Sequence, residues 1–216
     1  MTEPADLPFA PTELATFVAG KLCHDFITPA GAILQGLDLI NDPTAQDMRD
    51  DALNLIGQSA NKLVAIVQFA RVAFGAATSS ESFSSDALRG LVEDMVKGGR
   101  ATMDWAVTEP TFDKPAARTL LNLAYLTVGA LPSGGHAVIT AELSSEGLTL
   151  KGVAEGARAR LKPEAAVGLK GERLEDGLVG QWIQPYWLWL NARDAGGRLD
   201  VTAEEGRVVL TAVLPG

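Results

Sequence analysis

Apolar residues recur every three or four positions over residues 12–41 and again over 44–75, the period of a helix rather than of a strand. In the first stretch Val18, Leu22, Phe26, Pro29, Ile33, Leu37 and Ile40 share one stripe. In the second, Leu53, Ile56, Ala60, Leu63, Val67, Ala70 and Phe74 alternate spacings of three and four, a heptad seam sustained for about three heptads. Between them INDPTAQD breaks the period at Asp42 and Pro43, and Thr44 is placed to cap the second stretch. These features predict a helical hairpin. Its two apolar stripes have little but each other to cover them, and two hairpins packed as a dimeric four-helix bundle bury them more completely.

After Gly75 the texture changes. AATSSESFSSD is small and polar and reads as a linker, so the expected division is a helical unit over 1–77 and a second unit over 78–216. The second unit predicts a helix over about 86–97 capped by Ser84 or Ser85, a strand around MDWAV, and a helix over about 114–130 closed by LPSGG. HAVITAEL and GLTLKGVA alternate as strands joined by SSEG. An irregular stretch then runs to about residue 180, followed by a Trp-rich helix, QWIQPYWLWLNARDA, and a last hairpin of GRLDVTA with RVVLTAVL. Helices interleaved with antiparallel strands predict a two-layer α/β sandwich, and the whole chain reads as α+β.

Composition narrows the function. Hydrophobic residues make up 47% of the 216 and charged residues 21%, which suits a globular chain. A formal net charge of −9 opposes binding to a nucleic-acid backbone or an anionic membrane, both of which need a Lys/Arg footprint. No apolar run reaches the roughly 18 residues that span a bilayer, and MTEPADLPFAP lacks the basic flank and apolar core of a signal peptide, so the expected address is the cytoplasm. A single cysteine, Cys23, excludes an internal disulfide and a cysteine-rich zinc module.

One of only two histidines, His24, stands in the first helical stretch beside Asp25, with Pro29 five residues on. With Leu22 at zero, the apolar stripe stays within about 60° and His24 falls near 200°, pointing to water. Its neighbours on that face include Gly20, Thr28, Gly31 and Gln35, a low apron that lets another protein approach the ring closely. Pro29 lacks an N–H, which frees the carbonyl of Asp25 and bends the helix. An imidazole is substantially unprotonated near pH 7, and Asp25 is placed to orient it or accept a proton. Taken alone, an exposed helical histidine is usually nothing more than an ordinary surface residue. His136 follows two glycines at a strand entrance and reads as a loop residue. Trp182, Trp187 and Trp189 read as packing, although the last two cannot both face inward from one helix.

His24, Asp25 and Pro29 on the first helix of a hairpin, followed by an α/β sandwich, resemble the dimerisation and phosphoacceptor helix of two-component histidine kinases. LLNLAYLTVGAL around Asn122 is similar to the asparagine box of their ATP-binding domain, and GLVGQWIQPYWLWLNARDAGGRLDV to its last glycine box, helix and strand. The departures change what is implied. Leu126 stands where that family has a second asparagine for magnesium, and AEGARAR offers Ala154, Gly156 and Arg158 in place of the Asp-x-Gly-x-Gly adenine turn. A kinase-shaped chain that keeps the acceptor helix and loses the nucleotide site resembles the ChpT-type histidine phosphotransferases, as do KLCHDFITPAGAILQGLDLI, RDDALNLIGQSANKLVAIVQFARVAFG and the GLKGE segment.

That resemblance implies a homodimer with no cofactor of its own and no use of ATP. His24 and Asp25 are the implied catalytic pair, taking a phosphoryl group from the receiver aspartate of a hybrid sensor kinase and passing it to response regulators. Magnesium comes with the receiver. Thr28, Gly31 and Gln35, with Gln58 and Asn61 from the second helix, are the expected docking surface. The competing readings are a sensorless ATP-dependent histidine kinase and a non-catalytic dimeric adaptor.

Overall fold

The computed structural model describes residues 7–75 and 81–215; the expected linker at 76–80, and with it the boundary between 77 and 78, lies outside the described residues. Helix α1 (Pro11–Asn41) starts with proline in its first turn, and the Ala10 backbone N–H donates to the Glu13 carboxylate at 2.9 Å. It runs unbroken through Pro29. Asp42 accepts from both the backbone and the hydroxyl of Thr44, tightening the turn, and a short 3₁₀ segment (Gln46–Met48) leads into α2 (Arg49–Ala73). The hairpin is antiparallel. Its packing corrects the predicted seam by about one position: α2 buries Ala52, Ser59, Ile66 and Phe69, while Leu53 and Val67 are about half exposed. The reason is size. Gly36, buried on α1, lies so close to α2 that an added Cβ would stand 2.6 Å from Ile56 Cγ1. Small residues hold the intramolecular contact, and large apolar side chains are left outside it.

The remainder is the predicted α/β sandwich. A two-residue strand β1 (Phe83–Ser84) pairs with β3 (Thr111–Phe112). Ser84 caps α3 (Ser85–Val96), accepting from the Ala87 N–H, and Asp113 caps α4 (Lys114–Gly129), accepting from the Ala116 N–H. The sheet contains β2 (Ala101–Val107), β4 (Gly135–Ser144), β5 (Gly147–Glu155), β6 (Arg198–Glu204) and β7 (Arg207–Leu214) in the order β2-β4-β5-β7-β6. Only β2 and β4 are parallel; the other neighbours are antiparallel. Alternate residues Ala137, Ile139 and Ala141 of β4 and Val208, Leu210 and Ala212 of β7 are fully buried beneath the helical layer. Helix α4 lies so close to β5 that a Cβ on Gly152 would overlap the Thr127 side chain.

The stretch expected to be irregular contains a short helix α5 (Pro163–Gly168), packed on the Trp-rich α6 (Ile183–Asp194). Its two tryptophans tie down neighbouring segments. Trp187 packs against Phe74 and donates to the Ala73 carbonyl at 2.8 Å, while Trp189 stacks near Tyr186 and over Gly171, whose φ of +74° no bulky residue adopts comfortably. A separate apolar cluster of Phe9, Leu14, Leu178, Ile183, Tyr186 and Leu190 joins the start of α1 to this layer.

Candidate functional site

His24 lies in the middle of α1 with 76% of its side chain exposed. Thr28 and Gln35 on the same face are exposed, and Gly31 is half-buried. A Cβ at Gly20 or Gly31 would meet nothing within 4 Å, so the surface around the ring is open. Nδ1 faces Asp25 Oδ1 at 3.4 Å, at the long end of hydrogen bonding, which leaves Nε2 on the outer side of the ring. The second oxygen of Asp25 accepts from Lys21 Nζ at 2.7 Å. Lys21 is buried, one helical turn before Asp25. The arrangement is a row of three: a buried ammonium, a partly buried carboxylate and an exposed imidazole.

Two more groups feel Asp25. Lys62 of α2 donates to the Met95 carbonyl at the end of α3; burial lowers its pKa, and the charges of Asp25 and Asp94 act in the opposite sense. Tyr125 of α4 packs against Phe69, and burial, with Asp25 adding to it, raises its phenol above the ordinary value. Lys21, Lys62 and Tyr125 were not singled out in the sequence. The available signal was the i, i+4 spacing of Lys21 and Asp25, which in an isolated helix denotes only a solvated pair.

The docking residues divide. Thr28, Gly31 and Gln35 share the His24 face of α1. Gln58 and Asn61 are exposed on α2, and the contact of Gly36 with Ala52 and Ile56 sets them roughly level with Ala32 and Pro29, within a few turns of His24. Gln58 lies toward the flank of α2 that carries Lys62. Asn61 is about half a rotation from Ala52 and points away from α1, so one chain does not join it to the His24 surface. Arg71 pairs with Glu81 at 3.3 Å, and His136, in β4 rather than a loop, lies between Asp104 and Thr102 at 3.1 and 3.0 Å.

The residues that resemble a nucleotide site do different work. Asn122 is fully buried, and both ends of its amide are engaged: Nδ2 donates to the carbonyls of Arg118 and Ala73, and Oδ1 accepts from Gln184. It fastens α4 to α6 and to the end of α2. Arg118 adds a bond to the Gly75 carbonyl, and its burial lowers its pKa. Leu126 is half-buried, Ala154 is in the core and Arg158 is exposed. Beside Lys21 a groove of about 200 Å³ runs between α4 and α5, lined by Tyr125, Leu126, Arg160, Lys162 and Trp182. A second hollow, of about 390 Å³, lies near Asp113, Leu143 and Leu214. No cluster of three or more His, Cys, Asp or Glu side chains suited to a metal ion is found among the described residues.

Comparison with known proteins places this geometry. Residues 85–207 match the family described as the histidine phosphotransferase C-terminal domain. Protein phosphotransferase ChpT of Brucella abortus (strain 2308) is 29% identical over 202 residues, which cover 93% of this chain and 95% of that protein. A bacterial phosphotransferase solved at 1.7 Å superposes with a TM-score of 0.84 at 28% identity, covering 96% of this chain and all of that one. The histidine kinase domain of the Erythrobacter litoralis EL346 blue-light-activated kinase, 10% identical, has a TM-score of 0.50 with 87% and 94% covered, a likeness of fold alone. The histidine-kinase-like architecture and the family match agree, and this chain belongs to the histidine phosphotransferase family, whose members relay phosphoryl groups.

Proposed function

We propose that His24 is the residue that carries the phosphoryl group, accepting it from the aspartyl phosphate of a receiver domain in a hybrid kinase and giving it up to the receiver aspartate of a response regulator. The observation that supports this most is the ring geometry. With Nδ1 turned to Asp25, the Nδ1–H tautomer is favoured and the Nε2 lone pair faces solvent, where a partner protein brings its phosphorus into line. Nε2 forms the N–P bond as the acyl phosphate P–O bond breaks, its electron pair leaving on the receiver carboxylate. The imidazolium that develops is offset by Asp25, which holds or takes the Nδ1 proton. Return transfer reverses these steps. Phosphoryl transfer asks chiefly for alignment and charge stabilisation, so the receiver's own magnesium serves both directions.

Thr28, Gly31, Gln35 and Gln58 form the docking surface beside His24. Two copies pair through the outer side of the hairpin, where Leu34, Leu37, Leu53, Val64 and Val67 are between 43 and 63% exposed. The protein works without ATP: Asn122 is fully buried with both ends of its amide engaged, Leu126 offers no ligand, and Ala154 stands where a carboxylate would read adenine. No helix among the described residues is long and apolar enough to cross a membrane, in keeping with a relay working among cytoplasmic partners.

Two incubations test this reading, one with labelled ATP and Mg²⁺ and one with a labelled phosphorylated receiver. Label is expected on the protein from the receiver only, in acid-labile, base-stable form. Labelling by ATP would establish a kinase instead, and a rise in melting temperature with ATP would show that a nucleotide site persists. Failure of His24→Ala to slow removal of phosphate from the receiver would favour an adaptor.

A further inference from the structure

Lys21 has no evident reason to be a lysine if stability were all it served. Its side chain is 7% exposed, in a stripe where Leu14, Pro29 and Gly36 are also buried, and taking an ammonium out of water is costly. A methionine of similar length would fill the site, and replacement of buried ion pairs by apolar side chains is often neutral or stabilising. Helix electrostatics do not supply the reason either, since lysine N-terminal to an acid is the weaker order for an i, i+4 pair. What the ammonium does is engage one oxygen of Asp25 at 2.7 Å, leaving the other turned to His24 Nδ1.

We propose that Lys21 is a positioning residue for phosphoryl transfer: it fixes the rotamer of Asp25, and Asp25 in turn fixes the Nδ1–H tautomer and the outward direction of Nε2. The inference rests on the reading of His24 as the phosphoryl carrier. Lys62, a second cation that feels Asp25, is bonded to the Met95 carbonyl, whereas Lys21 is bonded to Asp25 itself. Without Lys21, the partly exposed Asp25 turns toward water and the ring reverts to the Nε2–H form that free imidazole prefers. The nucleophilic lone pair then lies on Nδ1, against the main chain.

The test uses the full chain, ¹⁵N-labelled at histidine, as Lys21→Met, Lys21→Arg, Asp25→Ala and the Lys21→Met/Asp25→Ala double variant. Two-bond ¹⁵N–¹H correlation spectra report the His24 tautomer. Single-turnover transfer from a phosphorylated receiver and titration with the unphosphorylated receiver separate rate from affinity. Lys21→Met is expected to move His24 from Nδ1–H toward Nε2–H and to slow transfer by about 10- to 100-fold at unchanged affinity. Lys21→Arg restores both, and the double variant is no slower than Asp25→Ala. An unchanged tautomer in Lys21→Met overturns the proposal, as does a double variant whose losses multiply. If Lys21→Met does not fold, the Arg variant and Asp25→Ala decide by the tautomer alone. His24→Ala run in parallel tests the underlying reading separately: transfer that persists there defeats it whatever the lysine variants do.

Discussion

The hairpin has two unlike sides. The side toward the sheet is tied down by specific bonds: the Ala73 carbonyl accepts from Asn122 and Trp187, the Gly75 carbonyl from Arg118, and Arg173 reaches Glu13 and the Pro8 carbonyl while its guanidinium lies over the Phe9 ring. The opposite side carries large aliphatic side chains in solvent, Leu37, Leu53, Val64 and Val67 among them. His24 lies between the two, on neither the bonded side nor the apolar one. A kinase that phosphorylates its own histidine must bring a nucleotide-binding unit to that histidine. Here the corresponding unit is fastened in place, Asn122 is one of its fasteners, and the His24 ring is open to solvent.

Breaking the comparison at its centre has the largest expected effect. His24→Ala should lower phosphoryl acceptance from a receiver by about 10³-fold or more, with the urea midpoint unchanged because the ring packs against almost nothing. On the bonded side, Phe9→Ala should cost about 3–5 kcal/mol in urea unfolding, since this fully buried ring meets Phe17 and Tyr186 edge-on. On the apolar side, Val67→Asp should leave the fold intact and weaken self-association by about 100-fold or more in sedimentation, because it places an unpaired carboxylate in the proposed dimer contact.

Smaller changes sharpen the same contrast. Asn122→Ala should cost about 1–3 kcal/mol, by stranding the buried Gln184 amide, while leaving transfer from the receiver intact; the Ala73 carbonyl keeps its bond from Trp187. The smallest effect is alkaline. Tyr125 keeps its proton in the native protein above its ordinary value near 10, so the folded state binds more protons there and stability falls as pH rises past 10. Tyr125→Phe should remove that part of the fall, by less than about 1 kcal/mol at pH 10.5.

Much of this was legible in the sequence. The 3.6-residue period defined both long helices, and alternation with turn residues defined the two hairpins of the sheet. His24 was exposed on the face its position indicated. The register of the helical seam was not legible, because hydropathy favours large side chains whereas close helix approach favours Gly36, Ala52 and Ser59. Helix α5 was hidden because six residues are too few to show a period, and β1 and β3, two residues each, leave no alternation at all. Lys21 was the costliest omission. A lysine in an amphipathic helix reads as solvated, and only tertiary packing turns this one inward.

The phosphorylated protein itself offers the most direct measurement: ³¹P–¹⁵N correlation after exposure to a phosphorylated receiver, with histidine ¹⁵N-labelled. The predicted result is one phosphoramidate on Nε2 of His24, with Nδ1 still hydrogen-bonded to Asp25. Phosphorus on Nδ1, on His136 or on no histidine would contradict the account.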